Sequence, residues 1–165
     1  MLIRYARYDD LESIVAIYNQ SIPEGLATAD TQPVSVDARR DWFHRHTPER
    51  RPLLVAQEDS YAPLAGWISF EDFYGRPAYA KTTELSLYIA SEARGQGIGR
   101  QLLKDALQRA PLLGVSKLVA YIFSHNTPSL GLFTSEGFRL WGQLPHVAQL
   151  GERQCDLSIL GRDAP

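Results

Sequence analysis

The sequence predicts one α/β domain over residues 1–165, a mixed and mostly antiparallel sheet flanked by helices. Three observations carry that prediction. The chain has 165 residues, 44% hydrophobic and 22% charged, which is ordinary for a soluble globular protein and enough for one proper core. Its apolar residues follow two periods, alternating in some stretches and recurring every third or fourth residue in others. These stretches run in the order strand, helices, strands, then two later helices among further strands, with no internal repeat, linker or low-complexity segment between them.

The elements follow in order. LIRYARYDD alternates as a short strand. Asp9 then reads as an N-cap with Glu12 as its capping-box partner, ahead of a helix whose apolar face is Leu11, Ile14, Val15 and Tyr18. Ser35 reads as the cap of a second helix carrying Trp42 and Phe43. PLLVAQED and LAGWISF are predicted as antiparallel strands joined by a turn at Ser60–Pro63, and TTELSLYIA as a third long strand. The clearest helix comes next, with Ile98, Leu102, Leu103, Ala106 and Leu107 on one face, ending before Pro111. SKLVAYIFS reads as a buried strand. Pro128 sits in the first turn of a helix reaching about Glu136 and stopped by Gly137. FRLWGQLPHVAQL and RQCDLSILG close the chain as an antiparallel pair. Trp42, Trp67 and Trp141 are expected in the core.

Composition excludes several function classes. The net charge is −2 and no basic block stands out, so nucleic acid and anionic membrane are not expected partners. No apolar run is long enough to span a bilayer, and Met1 leads straight into LIRYARYDDL without a signal-peptide pattern, so a cytoplasmic protein is expected. Cys155 is the one cysteine; it reads as a small buried residue. His44 and His46 lie on a polar helical stretch with no metal-ligand arrangement, and no metal is expected.

EARGQGIGRQLL, Glu92–Leu103, places Gly95, Gly97 and Gly99 between Arg94 and Arg100 where a strand gives way to a helix. Glycine there costs backbone entropy. Without side chains, successive N–H groups can converge on one anion, and the helix N-terminus adds free donors and a partial positive charge. The combination suits a phosphate; the alternative is a flexible connecting loop. The spacing is not that of a dinucleotide-binding fingerprint, because the third glycine comes one residue early, and no P-loop lysine follows.

The pattern R-x-x-G-x-G from Arg94 to Gly99, with LSLYIA before it and HNTPSLGLFTSEGF after it, resembles the acyl-CoA loop and following segment of the GNAT acetyltransferases. AIYNQSI, TQPVSVDARRDWF, RPAY, TTELSLYI, LPHVAQ and RQCDLSIL narrow the resemblance to the phosphinothricin or methionine sulfoximine/sulfone acetyltransferase branch, from Ile3 to about Leu160. The resemblance implies acetyl-CoA as donor, a small amino-acid-like primary amine as acceptor, direct attack on the thioester, and a homodimer.

Glu84 shares a strand face with Ser86 and Tyr88, while Leu85, Leu87 and Ile89 point the other way. An acid on a polar face beside such a loop is a candidate general base, and the resemblance implies the same role; the alternative is a strand-end carboxylate with a structural partner. The resemblance further implies that the main chain of Leu87, Tyr88 and Ile89 binds the pantetheine arm where a bulge or splay exposes it. It also implies that Arg94, Gly95, Gln96, Gly97, Ile98, Gly99 and Arg100 hold the pyrophosphate, and that Asn126 bonds the arm. Asn126 reads equally as a helix cap. Tyr74, Gly75, Arg76, Tyr79, Leu85 and Ser86 are the implied acceptor-binding residues.

Two positions depart from the branch. Phe133 stands where a Tyr or His would protonate the leaving thiolate, leaving Tyr88, Tyr121 and His125 as substitutes. Tyr74 stands where a carboxylate-binding Arg or Lys is usual, and Arg76, two residues on, is the replacement candidate; the alternative is a surface loop charge. A peptide or protein acetyltransferase and a non-catalytic acyl-CoA-binding sensor are the alternative functions.

Overall fold

The computed structural model describes residues Met1–Pro165. Seven strands form one sheet: β1 Leu2–Tyr5, β2 Leu53–Gln57, β3 Leu64–Asp72, β4 Thr82–Ile89, β5 Lys117–Phe123, β6 Arg139–Leu150 and β7 Arg153–Asp163. The helices are α1 Leu11–Gln20, α2 Arg40–His44, α3 Ile98–Arg109 and α4 Thr127–Ser135. The strand order is β1-β2-β3-β4-β5-β7-β6. Only β4 and β5 run parallel, because the chain crosses between them through α3.

The core lies on both sides of this sheet. Ile68, Phe70 and Leu85 are buried with Leu102, Leu103 and Ala106 of α3, and no apolar residue of that helix face is wasted on solvent. On the opposite face α1 buries Ile14, Ile17 and Tyr18, and Trp67 donates its indole N–H to the Ile14 carbonyl at 3.0 Å. The predicted alternation of β4 is therefore real: Leu85, Leu87 and Ile89 face α3, and Tyr88 stacks near Trp67 on the α1 side, ring centroids 4.7 Å apart.

β4 and β5 pair only at Thr82–Lys117, Thr83–Leu118 and Glu84–Val119. Beyond Glu84 the strands part. β4 continues against β3 alone, and β5 continues against β7 alone. The polar main-chain groups of β4 that point toward β5 are left without a sheet partner, so the expected splay is present.

Three local expectations are corrected. Asp9 does not cap α1. The chain enters through a 3-10 turn at Tyr8–Asp10, where the Asp10 carboxylate accepts the Arg7 N–H at 2.6 Å and a two-pronged contact from Arg4 at 2.7 and 2.9 Å. Arg4 supplies the attraction that residue spacing could not reveal, and Glu12 stays exposed. Ser35 does not cap the Trp42 helix: its hydroxyl accepts the Ala38 N–H at 3.1 Å ahead of a 3-10 turn at Asp37–Arg39, and α2 begins only at Arg40 and has five residues. Trp141 is half exposed on the sheet edge; its ring lies so close over Gly161 that a Cβ there would come within 2.1 Å of it.

Candidate active site

The parting of β4 from β5 opens a cleft of about 510 Å³. Its floor is Leu87–Ile89; its sides are the start of α3 with the preceding glycines and the start of α4. That volume is typical of a site for a cofactor-sized ligand.

The glycines differ in purpose. Gly95 and Gly97 have φ of +74° and +78°, and a Cβ on either would meet nothing within 4 Å. Their backbone bends in a region that favours glycine and presents itself to open space. Gly99 instead sits at a close approach: a Cβ there would lie 3.2 Å from Leu132 and 3.5 Å from Leu87. It lets α3 start directly on β4 and α4. The first helical bond runs from the Gln101 N–H to the Gly97 carbonyl, at 3.1 Å. The N–H groups of Ile98, Gly99 and Arg100 therefore precede any intrahelical partner. Such free N–H groups, with the partial positive charge of a helix N-terminus, suit an anion.

Cations flank it. Arg94 reaches Glu24 at 2.6 Å across the mouth of the cleft, and Arg100 lies 3.3 Å from Glu136 and donates to the Ser135 hydroxyl at 3.1 Å. Gln96 lies outside the cleft, donating to the Glu92 carbonyl at 3.2 Å.

A strap between α1 and α2 closes the far side. Three successive carbonyls hold it: Gly25 accepts from His125 Nε2 at 2.7 Å, Leu26 from Asn126 Nδ2 at 3.1 Å, and Ala27 from the Tyr88 hydroxyl at 3.2 Å. Asn126 is also the α4 cap, its Oδ1 accepting the Ser129 N–H at 3.3 Å. The buried Asn126 amide is thus committed to strap and helix while it lines the cleft. His125 and Tyr88 are occupied in the same way.

Glu84 lies on the same strand face as Ser86 and Tyr88, at the last paired position of β4 before the strands part. It stands directly across from Glu71 on β3. Burial, and then the Glu71 charge, push its carboxyl up to about 7. Glu71 is itself held by Trp42 Nε1–H at 2.6 Å and His46 Nε2 at 3.0 Å. Tyr121 of β5 approaches from the other side; burial, Glu84 and Tyr74 push its phenol up to about 12. Ser86 is paired across the sheet with Ser69, whose buried hydroxyl has no hydrogen-bond partner.

The remaining sequence candidates are spread out. Tyr74 and Gly75 form the tip of the β3–β4 loop, at φ of +58° and +66°. Tyr74 is 75% exposed and leans on Phe73 and Tyr79, with ring centroids 4.6 and 5.8 Å away. Arg76 is exposed on the same loop. Leu85 is buried in the α3 core, and only a small secondary cavity of about 40 Å³ touches it. The structure brings Glu84, Ser86, Leu87–Ile89, Arg94, Gly95, Gly97–Arg100 and Asn126 to the splayed strand, leaves Gln96 outside the cleft, and carries Tyr74, Gly75, Arg76 and Tyr79 on the exposed connection between β3 and β4.

Sequence reading missed Glu71, His46 and Glu24. Glu71 shares the alternate phase of Trp67 and Ser69, so its face was legible. Its pairing with Glu84 was not, because the long irregular loop after β3 hides the register. No group of His, Cys, Asp and Glu in the structure is arranged to hold a metal ion, and no helix is long and apolar enough to cross a membrane.

Comparison with known proteins adds an independent line. The family model described as "Acetyltransferase (GNAT) family" matches residues 11–138. A Bacillus subtilis (strain 168) protein named "Putative phosphinothricin acetyltransferase YwnH" is 52% identical over 163 residues, 99% of each chain. An L-methionine sulfoximine/L-methionine sulfone acetyltransferase of Pseudomonas aeruginosa is 36% identical over 96% of this chain and 91% of its own. A crystal structure of a GNAT superfamily phosphinothricin acetyltransferase from Sinorhizobium meliloti in complex with AcCoA superposes with a TM-score of 0.92 at 31% identity, over 99% of this chain and 88% of that one.

Proposed function

The chain belongs to the acetyltransferase (GNAT) family, and from that premise we propose which of its residues carry the reaction and which amine they accept. It is an acetyl-CoA-dependent N-acetyltransferase acting on small amino-acid-like substrates. Acetyl-CoA supplies the activated acetyl thioester. Gly95 and the N–H groups of Gly97–Arg100 receive its pyrophosphate, with Arg94 and Arg100 adding charge. The unpaired main chain of Leu87–Ile89 takes the pantetheine arm as a strand would. Asn126 shapes the wall from which that arm is read.

The observation that carries the reading is Glu84: a carboxyl pushed up to about 7, set where β4 parts from β5 and opens the cleft. An ammonium of pKa ~8–10 must lose a proton before its nitrogen can attack. A base poised near neutral pH takes that proton efficiently. Transfer releases a second proton from the nitrogen, and one returns to the departing sulfur. Phe133 is buried and cannot donate it. A thiol of pKa ~8.5 leaves without a dedicated acid.

The acceptor is an α-amino acid of the phosphinothricin or methionine sulfone type, with Arg76 meeting its carboxylate. The names of the relatives support the class, and Arg76 is an exposed cation on the loop that carries Tyr74. Mass spectrometry of reactions with acetyl-CoA tests this. L-Methionine sulfone is expected to be acetylated in preference to its decarboxylated amine. Arg76→Ala should raise KM for the amino acid about ten- to a hundredfold and leave KM for acetyl-CoA alone, since a charge-assisted hydrogen bond is worth roughly 1.5–3 kcal/mol. Preference for the decarboxylated amine overturns the assignment.

Two further parts of the reading are self-association and place. The edge strand β6 exposes Leu140, Trp141, Leu144 and Val147, a face suited to a second copy. A reducing cytoplasm suits the buried free thiol of Cys155.

A further inference from the structure

The His46 side chain is only 4% exposed, and both ring nitrogens are engaged. Nδ1 lies 2.8 Å from the Trp42 carbonyl, which can only accept, so Nδ1 carries a hydrogen. Nε2 lies 3.0 Å from Glu71 Oε1. A neutral ring with its proton on Nδ1 would aim a lone pair at that oxygen. One proton must lie between them. The same Oε1 accepts the Trp42 Nε1–H at 2.6 Å, the short spacing of a bond to an ionised acceptor. The Trp42 Nε1–H and the shared proton thus meet on one oxygen, an arrangement that suits a carboxylate facing a ring with both nitrogens protonated.

We propose that His46 is a positioning residue for the base: an imidazolium locked by the Trp42 carbonyl, which offsets part of the charge of Glu71 and so lets Glu84 work as a carboxylate near neutral pH. The proposal rests on the reading of Glu84 as base only for its kinetic consequence. The groups involved are few. From the α2 side Glu71 meets Trp42 and His46; across the sheet it meets Glu84 on β4. Glu84 meets Tyr121 from β5, and Tyr74 stands beyond Tyr121. Arg39 lies on the far side of the Trp42 ring, 5.4 Å from its centroid, paired with Asp30 at 3.4 Å. No other cation in this group contacts Glu71. Removing His46 therefore leaves two carboxylates facing each other across adjacent strands, and a like charge at that spacing holds the second proton on.

Two NMR measurements on the ligand-free protein decide the proposal without reference to catalysis. The ¹⁵N shifts of His46 at pH 7 are expected to be those of an imidazolium, with both nitrogens protonated. The ¹³C-carboxyl titration of Glu84, assigned with Glu84→Gln, is expected to move up by about one pH unit in His46→Gln and down in Glu71→Gln. The acid limb of kcat/KM should follow the same two shifts. A neutral His46 tautomer overturns the proposal, as does a Glu84 midpoint that His46→Gln leaves in place. If His46→Gln fails to fold, the ¹⁵N shifts and the Glu71→Gln titration still decide it. Shifts of the carboxyl midpoint without matching shifts of the rate profile would keep the proposal and reject Glu84 as the base.

Discussion

Burial and the neighbouring Glu71 push the Glu84 carboxyl up to about 7, and this shift has a thermodynamic side. The folded protein keeps the Glu84 proton in a pH range where the unfolded chain, with an ordinary carboxyl near 4.5, has lost it. Stability from this group is therefore highest below about 4.5, falls as pH rises toward about 7, and stays low above it. The span corresponds to a penalty of about 3 kcal/mol at alkaline pH. Glu84→Gln removes that penalty. Its melting temperature is expected to match wild type near pH 4.5 and to pull ahead as pH rises, levelling off above pH 7. Its turnover at neutral pH should fall by about a hundredfold or more, with partial recovery at high pH where more amine is already unprotonated. Melting curves offset by a constant amount at all pH values would show that Glu84 ionises normally. Glu84 was legible in the sequence because alternation along TTELSLYI separates its face from the leucines. His46 was not: a histidine on a polar stretch looks solvated until the fold lays Glu71 beside it.

The passage from β4 into α3 was read from the sequence as one glycine motif, and the structure divides it into a cradle and a contact. Gly97 needs its left-handed backbone and faces open space; Gly99 needs room for Leu132 and Leu87. Gly97→Ala is expected to abolish measurable CoA binding by calorimetry while retaining the circular-dichroism spectrum, at a strain cost of about 1 kcal/mol. Wild-type CoA affinity in the folded variant would remove the cradle from the site. The helices themselves were predictable because α3 carries five buried residues at helical spacing and Pro111 ends it. The strap was not. Its anchors are main-chain carbonyls at Gly25–Ala27, and no side-chain pattern records where a carbonyl will be used.

Across the whole molecule, strand order follows from hairpins that the sequence marks and one parallel crossing that α3 imposes. Periodicity did not give the point where β4 leaves β5; only the resemblance implied it, at Leu87–Ile89. The outer edge of the same sheet bears the proposed self-association. Leu144→Asp together with Val147→Asp should turn a dimer into a monomer by light scattering, with Trp141 left in place on Gly161. An unchanged mass would place any dimer contact elsewhere. The strap has a bearing on how such an enzyme diversifies. Because His125, Asn126 and Tyr88 grip backbone oxygens, the side chains of Leu26 and Ala27 are free of the task of anchoring. Mutational drift can rewrite the wall they present to the cleft one substitution at a time without unfastening it, while the three gripping side chains stay under constraint.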